Sequence, residues 1–232
     1  MRKYISLVFA ASFLSLVGSL YSQTTIDPPF LGDTVGYVNG KAITRKAYVD
    51  MFHEICLEMN HGKSDSLVGK EIVEAHNKTW DRLVLGAVIE DSIEKKGIIV
   101  TDIEVRSSLE SDPPEFLKRQ FTDSTGKFIK EAYLKALHDS RNAAIMHTVI
   151  ESMKSEMRKQ KLSNVLIASI TPCDEELWKE YKEKKGDTRQ TFESEKEHLR
   201  SEKLKIKEPP FFEQWVSSAK TSAKIIDYRT IK

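Results

Sequence analysis

The segment from Val35 to Phe52 constrains the fold most, because a short hairpin leads directly into a helix. Asn39-Gly40 supplies the two positive-φ positions of a type I′ turn, and short apolar strands flank it. Thr44 then fits the preference for a helix N-cap. Apolar residues follow at i, i+3 and i+4 spacing, which predicts an amphipathic helix with Ala47, Tyr48, Met51 and Phe52 on one face. A lone hairpin is marginally stable in water, so these strands need further partners.

Residues 1–22 have the three parts of an export signal. Arg2 and Lys3 precede an apolar run, Ile5 to Leu20, and small residues follow it. This order predicts a cleaved signal peptide and therefore a periplasmic location. A retained membrane anchor is the alternative, because the run is close to the lower length limit for a span. No stable membrane span is expected after signal cleavage, and residues 23–34 are predicted to be an extended leader.

Charge and composition exclude some classes of function. The formal net charge is +1 for the 232 residues and becomes −1 without Arg2 and Lys3. A near-neutral balance gives no electrostatic reason to expect binding to nucleic acid. Abundant charged residues with few glycines and prolines favour helices. The two cysteines, Cys56 and Cys173, leave two alternatives open, a disulfide or two separate thiols.

Helix signals are clear in the middle of the chain. A second helix is predicted from about Leu67 to Lys96, with Gly97 as its C′ residue. Its central part, residues 80–89, is apolar nearly all round, which predicts the centre of the fold. Thr101 and Glu104 match a capping box for a short helix. The apolar side of that helix is expected to consist of Ile103, Val105 and Leu109.

The C-terminal half continues the helical pattern and ends in a strand. A long helix is predicted from about Asn142 to Ala168, and Thr171-Pro172 is expected to start the next. A highly charged helix follows, with Phe192, Leu199 and Ile206 at seven-residue intervals, and Pro209-Pro210 is expected to interrupt it. Residues 225–229 alternate as a strand, which would add a third partner to the hairpin.

These signals predict a mainly α fold. It is a multi-helix core with a small antiparallel sheet, formed by the N-terminal hairpin and the C-terminal strand. Residues 35–232 are interpreted as a single domain, with an N-terminal part at 35–184 and C-terminal helices and strand at 188–232.

Several segments resemble the SurA/PpiD/PrsA family of periplasmic chaperones. VNGKAITRKAY is similar to the start of the family's core, and KKGIIVTDIEV and DSTGKFIKEAYLKAL resemble later parts in the same order. TPCDEELWKEYKEK is similar to the helix that leads into a parvulin prolyl-isomerase domain. FFEQWVSSAKTSAKIIDY resembles the helix and closing strand that follow it. The resemblance covers nearly all of the chain after residue 22 and implies a chaperone core.

The sequence departs from that family by lacking room for a parvulin domain. Only a few residues around Gly186 separate the two flanking helices, whereas such a domain needs on the order of a hundred residues. The resemblance therefore implies the client-holding part and no enzyme. Two alternatives stay open: a degenerate prolyl isomerase, which this departure disfavours, and a scaffold subunit that holds one fixed partner.

Motifs for chemistry are weak. His53 and Cys56 are spaced i, i+3, with His61 and His76 nearby in sequence, but a metal site needs three or four ligands. No G-x-S-x-G motif and no phosphate-binding glycine loop occurs. The sequence therefore predicts no catalytic residue, no metal site and no cofactor.

A basic cluster on the long helix is interpreted as a solvated face with i, i+4 pairs: Lys154, Arg158, Lys159 and Lys161.

The resemblance implies an apolar cradle for clients, and methionines suit one because they repack around different partners. The residues expected to bind clients are Phe128, Tyr133, Met146, Met153, Met157 and Trp178. Ordinary core packing is the alternative for each of them. The expected partners are unfolded exported or outer-membrane proteins. A homodimer formed by exchange of terminal segments is a further alternative.

Overall fold

The computed structural model describes residues 32–60, 67–185 and 189–229. The predicted signal peptide, most of the leader and His61 lie outside these ranges. Within these ranges, none of the helices combines the length and the hydrophobicity of a membrane span.

A three-stranded antiparallel sheet joins the two ends of the described chain. Strands β1 (Thr34–Val38), β2 (Lys41–Thr44) and β3 (Ile225–Asp227) lie in the order β2-β1-β3. Tyr37 is opposite Ala42 on one side and Ile226 on the other. Asn39 and Gly40 have φ values of 50° and 82°, so the predicted type I′ turn and the predicted third strand are both confirmed.

Eight α-helices follow β2 within the described ranges, so the predicted mainly α class is confirmed. Their bounds are α1 Arg45–Met59, α2 Lys70–Lys95, α3 Asp102–Ser111, α4 Glu115–Gln120, α5 Lys130–Leu137, α6 Ala143–Ala168, α7 Asp174–Lys185 and α8 Arg189–Ser222.

The helix ends follow local sequence signals. Thr44 caps α1, and its Oγ1 accepts a hydrogen bond from the Ala47 amide at 3.2 Å. Gly97 has φ 63° and ends α2 in a Schellman motif, in which the Ile98 amide donates to the Ile93 carbonyl at 3.0 Å. The capping box of α3 is formed as predicted, with Thr101 as its N-cap.

Helix α2 is the centre of the fold, as its apolar middle predicted. It contacts the sheet, α1, α6 and α8. One buried cluster joins α2 to the sheet and α1 and includes Val35, Tyr48, Phe52 and Trp80. Another joins α2 to α6 and α8 and contains Ile89, Ile93, Leu162 and Leu166. Two further clusters lie among α3–α6 and between α7 and α8.

Gly36 permits the close approach of Trp80 to the sheet. A Cβ at this position would lie 2.2 Å from the Ile226 carbonyl oxygen and 2.5 Å from the Trp80 ring. Both distances are far below contact, so only glycine fits between the strand β3 and the helix α2.

Buried polar and aromatic side chains fix β3 to the helices. The Arg229 guanidinium stacks over the Trp80 ring at 4.6 Å from its centroid, and Arg229 Nη1 donates to the His76 carbonyl at 2.8 Å. His76 Nδ1 is 2.9 Å from Tyr48 Oη, and its ring stacks on Phe52 at 4.2 Å. The Arg229 side chain is only 8% exposed, and its charge is satisfied by an ion pair with Asp227 at 2.8 Å together with the contacts to Trp80 and His76.

The predicted interruption at Pro209-Pro210 is wrong, because α8 runs through both prolines. Each proline removes a backbone donor and costs an interior helix about 3 kcal/mol. Packing on both sides offsets this cost. Leu199 contacts the α7–α8 cluster, and Phe211, Phe212 and Trp215 contact the cluster of α2 and α6.

Other expectations about exposure are corrected. Ile103 was expected on the buried side of α3, but it is 79% exposed, and Ala47 is also exposed. The buried face of α1 instead runs through Tyr48, Phe52 and Ile55. The spacing of apolar residues did not define which side of α1 and α3 would be buried. The position of the neighbouring helices determined the buried side.

The basic residues of α6 are not a simple solvated face. Lys154 lies 2.5 Å from Asp102, and Lys161 lies 2.6 Å from Glu104, so both tie α6 to α3. Arg158 pairs with Glu90 of α2. Two members also have partners on the same helix: Lys159 lies 3.9 Å from Glu156, and Lys154 lies 2.8 Å from Glu151. Contacts to α2 and α3 therefore add to pairs along α6, and these pairs are spaced i, i+3 instead of the predicted i, i+4.

Replacing Gly36 by alanine will destabilise the protein by about 2 kcal/mol or more, because the added methyl overlaps Ile226 and Trp80. The matched control is Gly86→Ala in α2, where an added Cβ meets no atom within 4 Å. That change will stabilise the helix by about 1 kcal/mol. Urea unfolding of the three proteins checks this, and equal midpoints would contradict it.

Stability will fall with acidification partly through His76. Burial, and secondarily the Arg229 guanidinium, lower the pKa of His76 below its ordinary 6.5. The unfolded chain therefore binds this proton more readily, and the free energy of unfolding decreases as pH drops below about 6.5. His76→Asn will flatten the pH dependence of the melting temperature between about pH 8 and pH 5. The exposed His53→Asn control will retain the wild-type slope, and an unchanged slope in His76→Asn would refute the argument.

Candidate functional site

The buried cluster among α3–α6 carries a rim of half-buried apolar side chains. Its core includes Val105, Leu109, Tyr133, Ile150 and Met153. The rim, which we call the aromatic–methionine surface, consists of Leu117, Phe121, Phe128, Leu134, Met146 and Met157. Each rim residue contacts the core and keeps part of its side chain in solvent. Such residues can gain further burial when another apolar chain docks.

A short turn positions the two phenylalanines. Thr122 and Phe128 form an isolated antiparallel bridge, and the Ile129 amide donates to the Phe121 carbonyl at 2.7 Å. The Asp123 carboxylate closes the turn by accepting from the Thr125 and Lys127 amides at 2.8 and 3.0 Å. The Thr125 hydroxyl, together with these amides, lowers the pKa of Asp123.

Tyr133 supports both aromatic rings from below. Its ring centroid lies 5.5 Å from that of Phe121 and 5.7 Å from that of Phe128. Its hydroxyl donates to the Leu109 carbonyl at 3.0 Å, which joins α5 to the end of α3. Burial raises the pKa of Tyr133, so it stays a neutral donor. Tyr133 therefore holds the surface in place and is itself only 2% exposed.

The methionines come from one face of α6. Met146, Met153 and Met157 are separated by seven and four residues, which places them on one side of a helix. Met153 is buried, whereas Met146 and Met157 are half-buried at the two ends of the stripe. The ends are 11 residues apart, about 16 Å along the helix axis. That length matches about five residues of an extended peptide.

The structure thus brings together five of the six residues expected to bind clients. Phe128, Met146 and Met157 lie in the aromatic–methionine surface, and Tyr133 and Met153 lie beneath it. Trp178 lies elsewhere, in the cluster of α7 and α8, with its ring 5.2 Å from Phe192. Leu117, Phe121 and Leu134 also belong to this surface but were not predicted from the sequence. Leu134 is adjacent to Tyr133 in the α5 pattern, and Phe121 lies at the end of α4, so both carried weak local signals.

Ion pairs hold the helices that carry this surface. Glu104 accepts from Lys161 Nζ at 2.6 Å and from the Thr101 amide at 2.8 Å. The Lys161 bond, and then the Thr101 amide, lower the pKa of Glu104 to about 2. Lys161 Nζ also donates to the Ile99 carbonyl at 2.7 Å. One lysine therefore links α6 to the start of α3.

An open cleft of about 750 Å³ lies between α1, α2 and α8. Apolar side chains from Ile55, Met59 and Leu85 line it. At its rim Arg82 makes a two-pronged ion pair with Glu58 at 2.8 and 2.9 Å. The Arg82 hydrogen bond lowers the pKa of Glu58, so both rim charges are satisfied within the protein.

Groups capable of chemistry are dispersed over the described ranges. No three His, Cys, Asp or Glu residues there are placed to hold a metal ion. Cys56 and Cys173 are both free thiols, and burial raises the pKa of Cys56. His76 is engaged with Tyr48, as described above.

Comparison with protein families decides the classification. The sequence model of one family, the SurA-like N-terminal domain, matches residues 3–137, which is more than half of the chain. The chain belongs to the SurA-like N-terminal domain family. The match ends with α5, so it includes the hairpin, α1–α5 and the two phenylalanines of the aromatic–methionine surface. Searches of curated proteins and of solved structures gave no match.

This membership confirms the resemblance seen in the sequence. The SurA-like N-terminal domain is the chaperone part of its family and is distinct from the catalytic isomerase part. No parvulin domain is indicated within the 232 residues. In this SurA-like chain, α7 ends at Lys185 and α8 begins at Arg189. The parvulin domain was expected to be absent between these two helices.

Replacing Glu104 by glutamine will lower the melting temperature at pH 7, because the ion pair to Lys161 is lost. A carboxylate with a lowered pKa stabilises the fold above its ordinary pKa of 4.5 and loses this effect as pH falls toward about 2. The difference between variant and wild type will therefore shrink from pH 7 to about pH 3. Glu131→Gln, an exposed change on α5, serves as the control. A difference that is independent of pH would contradict the assignment.

Proposed function

We propose that this chain is a periplasmic, ATP-independent chaperone. It binds apolar segments of unfolded exported or outer-membrane proteins and delays their aggregation. Its membership in the SurA-like N-terminal domain family carries the proposal, since this domain is the chaperone part of that family. The periplasmic location follows from the basic and apolar segments at residues 1–22.

The aromatic–methionine surface supports a broad specificity. Methionine side chains are unbranched and polarisable, so Met146 and Met157 adapt to different client side chains. Phe121 and Phe128 add flat apolar area whose orientation is set by Tyr133. A rigid support with adaptable contacts at its edge favours many weak ligands over one tight ligand.

The free energy of binding comes mainly from apolar burial. Each square ångström removed from water contributes about 25 cal/mol. Ordering an unfolded client opposes this gain, so the affinity is modest. Because the surface is apolar, the affinity will depend little on salt, in contrast to binding through surface charges.

Changing Met146 and Met157 together to glutamine will weaken client binding. Glutamine has nearly the same length as methionine but loses its apolar contacts. Two half-buried side chains contribute about 1 kcal/mol or slightly more in total, so the dissociation constant will rise roughly five- to tenfold. The measurement is light scattering from a diluted, urea-unfolded outer-membrane protein at increasing chaperone concentration.

Met51→Gln is the matched control, because Met51 is also half-buried but packs on the cluster of the sheet and α1. It will suppress aggregation as well as wild type, provided that circular dichroism shows all variants folded. The absence of any delay by an excess of wild-type protein would refute the proposed function. Equal losses in both variants would instead refute the surface. Isolation of one stoichiometric partner would favour a dedicated scaffold.

A further inference from the structure

Helix α7 and residues 189–208 of α8 form an antiparallel hairpin with a core of its own, which we call the arm. Leu177, Tyr181 and Phe192 are buried in it, and Trp178 and Leu199 pack on them. The rings of Tyr181 and Phe192 are 5.5 Å apart between centroids. All members of this cluster belong to the arm, so its packing does not depend on the other helices.

Ion pairs also connect the two helices of the arm. Lys196 Nζ lies 3.2 Å from Asp174, and Arg200 pairs with the same carboxylate. These bonds lower the pKa of Asp174, with the Lys196 hydrogen bond as the largest cause. Lys203 also pairs with Glu180. An apolar core and cross-helix pairs together make the arm a single rigid body.

The remaining part of α8 belongs to a different body. Phe211, Phe212 and Trp215 pack on the cluster of α2 and α6, and Ala219 packs on that of the sheet and α1. Lys220 lies 3.7 Å from Asp81 of α2. The helix α8 is therefore fixed to the arm before residue 208 and to the protein body after residue 210.

Pro209 and Pro210 lie where these two bodies meet. Neither has a backbone N–H, so the Lys205 and Ile206 carbonyls lose their α-helical donors. Both prolines are exposed, and Ile206 is 76% exposed, so side-chain packing does not stiffen this turn. Adjacent missing hydrogen bonds in an unsupported turn are where a helix bends most easily.

The arm has a second connection to the rest of the protein, and this connection lies at the same end of the arm as Pro209-Pro210. Residues 169–173 link α6 to α7 without regular helix. Arg200 Nε donates to the Pro172 carbonyl at 3.4 Å, which places this linker beside the base of the arm. Two chain connections at one end of a rigid hairpin are the geometry of a hinge.

We propose that the arm turns as one body on the rest of the protein, about a double hinge at residues 169–173 and Pro209-Pro210. The rotation changes the separation between the arm tip and the body, and it leaves the core of each unchanged. This proposal does not depend on the chaperone function.

Distances between paired spin labels test the hinge. In a background with Cys56→Ala and Cys173→Ser, labels at Glu183→Cys and His53→Cys report the separation of the arm from α1. Labels at Glu183→Cys and His198→Cys report a distance within the arm. All three labelled sites are exposed. Double electron–electron resonance will give a broad arm-to-body distribution and a narrow one within the arm.

The double substitution Pro209→Ala and Pro210→Ala restores two helical donors, and it will narrow the arm-to-body distribution. Pro113→Ala with Pro114→Ala is the matched control, because this other adjacent pair lies outside the hinge and will leave the width unchanged. The hinge is refuted by an arm-to-body distribution as narrow as that within the arm. It is also refuted if the Pro209 and Pro210 changes leave the width unaltered, or if the control pair narrows it equally.

Discussion

Trp80 packs against the sheet and connects the central helix α2 to both ends of the described chain. The ring lies so close to Gly36 that no side chain fits between them, and the Arg229 guanidinium covers the ring at 4.6 Å. Trp80 thus contacts both the N-terminal hairpin and the chain end. Because a hairpin of two short strands is marginal alone, this packing and the third strand give it the burial that it needs.

Two regions extend from this centre in different ways. The cluster of α3–α6 is tied to α2 through Arg158 and carries apolar side chains that are only half-buried. The arm instead has a closed core of its own and connects to the body at one end. The proposed binding of unfolded chains needs exposed apolar area without self-association, and partial burial of each residue would meet that need.

Local signals predicted most elements well. Asn39-Gly40, Thr44, Gly97 and the Thr101–Glu104 box act through bonds within a few residues, and each forms as expected. The candidate site was predicted in part, because Met146, Met153 and Met157 share a helical face that is visible in the spacing. Trp178 was expected to bind clients together with these methionines only because it is a large apolar side chain, and the structure places it in a separate cluster. Pro209-Pro210 was expected to end a helix that tertiary packing continues.

Most of the helices, the hairpin, the family and the residue types available for an apolar surface can be read from the order of amino acids, because periodicity and capping depend on neighbours along the chain. Which of those residues are covered depends on how the helices pack. The tertiary structure showed Tyr133 and Met153 below the surface and Met146 and Met157 at its edge. It also brought Arg229 to His76, a pair 153 residues apart. Contacts over such separations depend on how the helices pack against each other, and no local pattern encodes that arrangement.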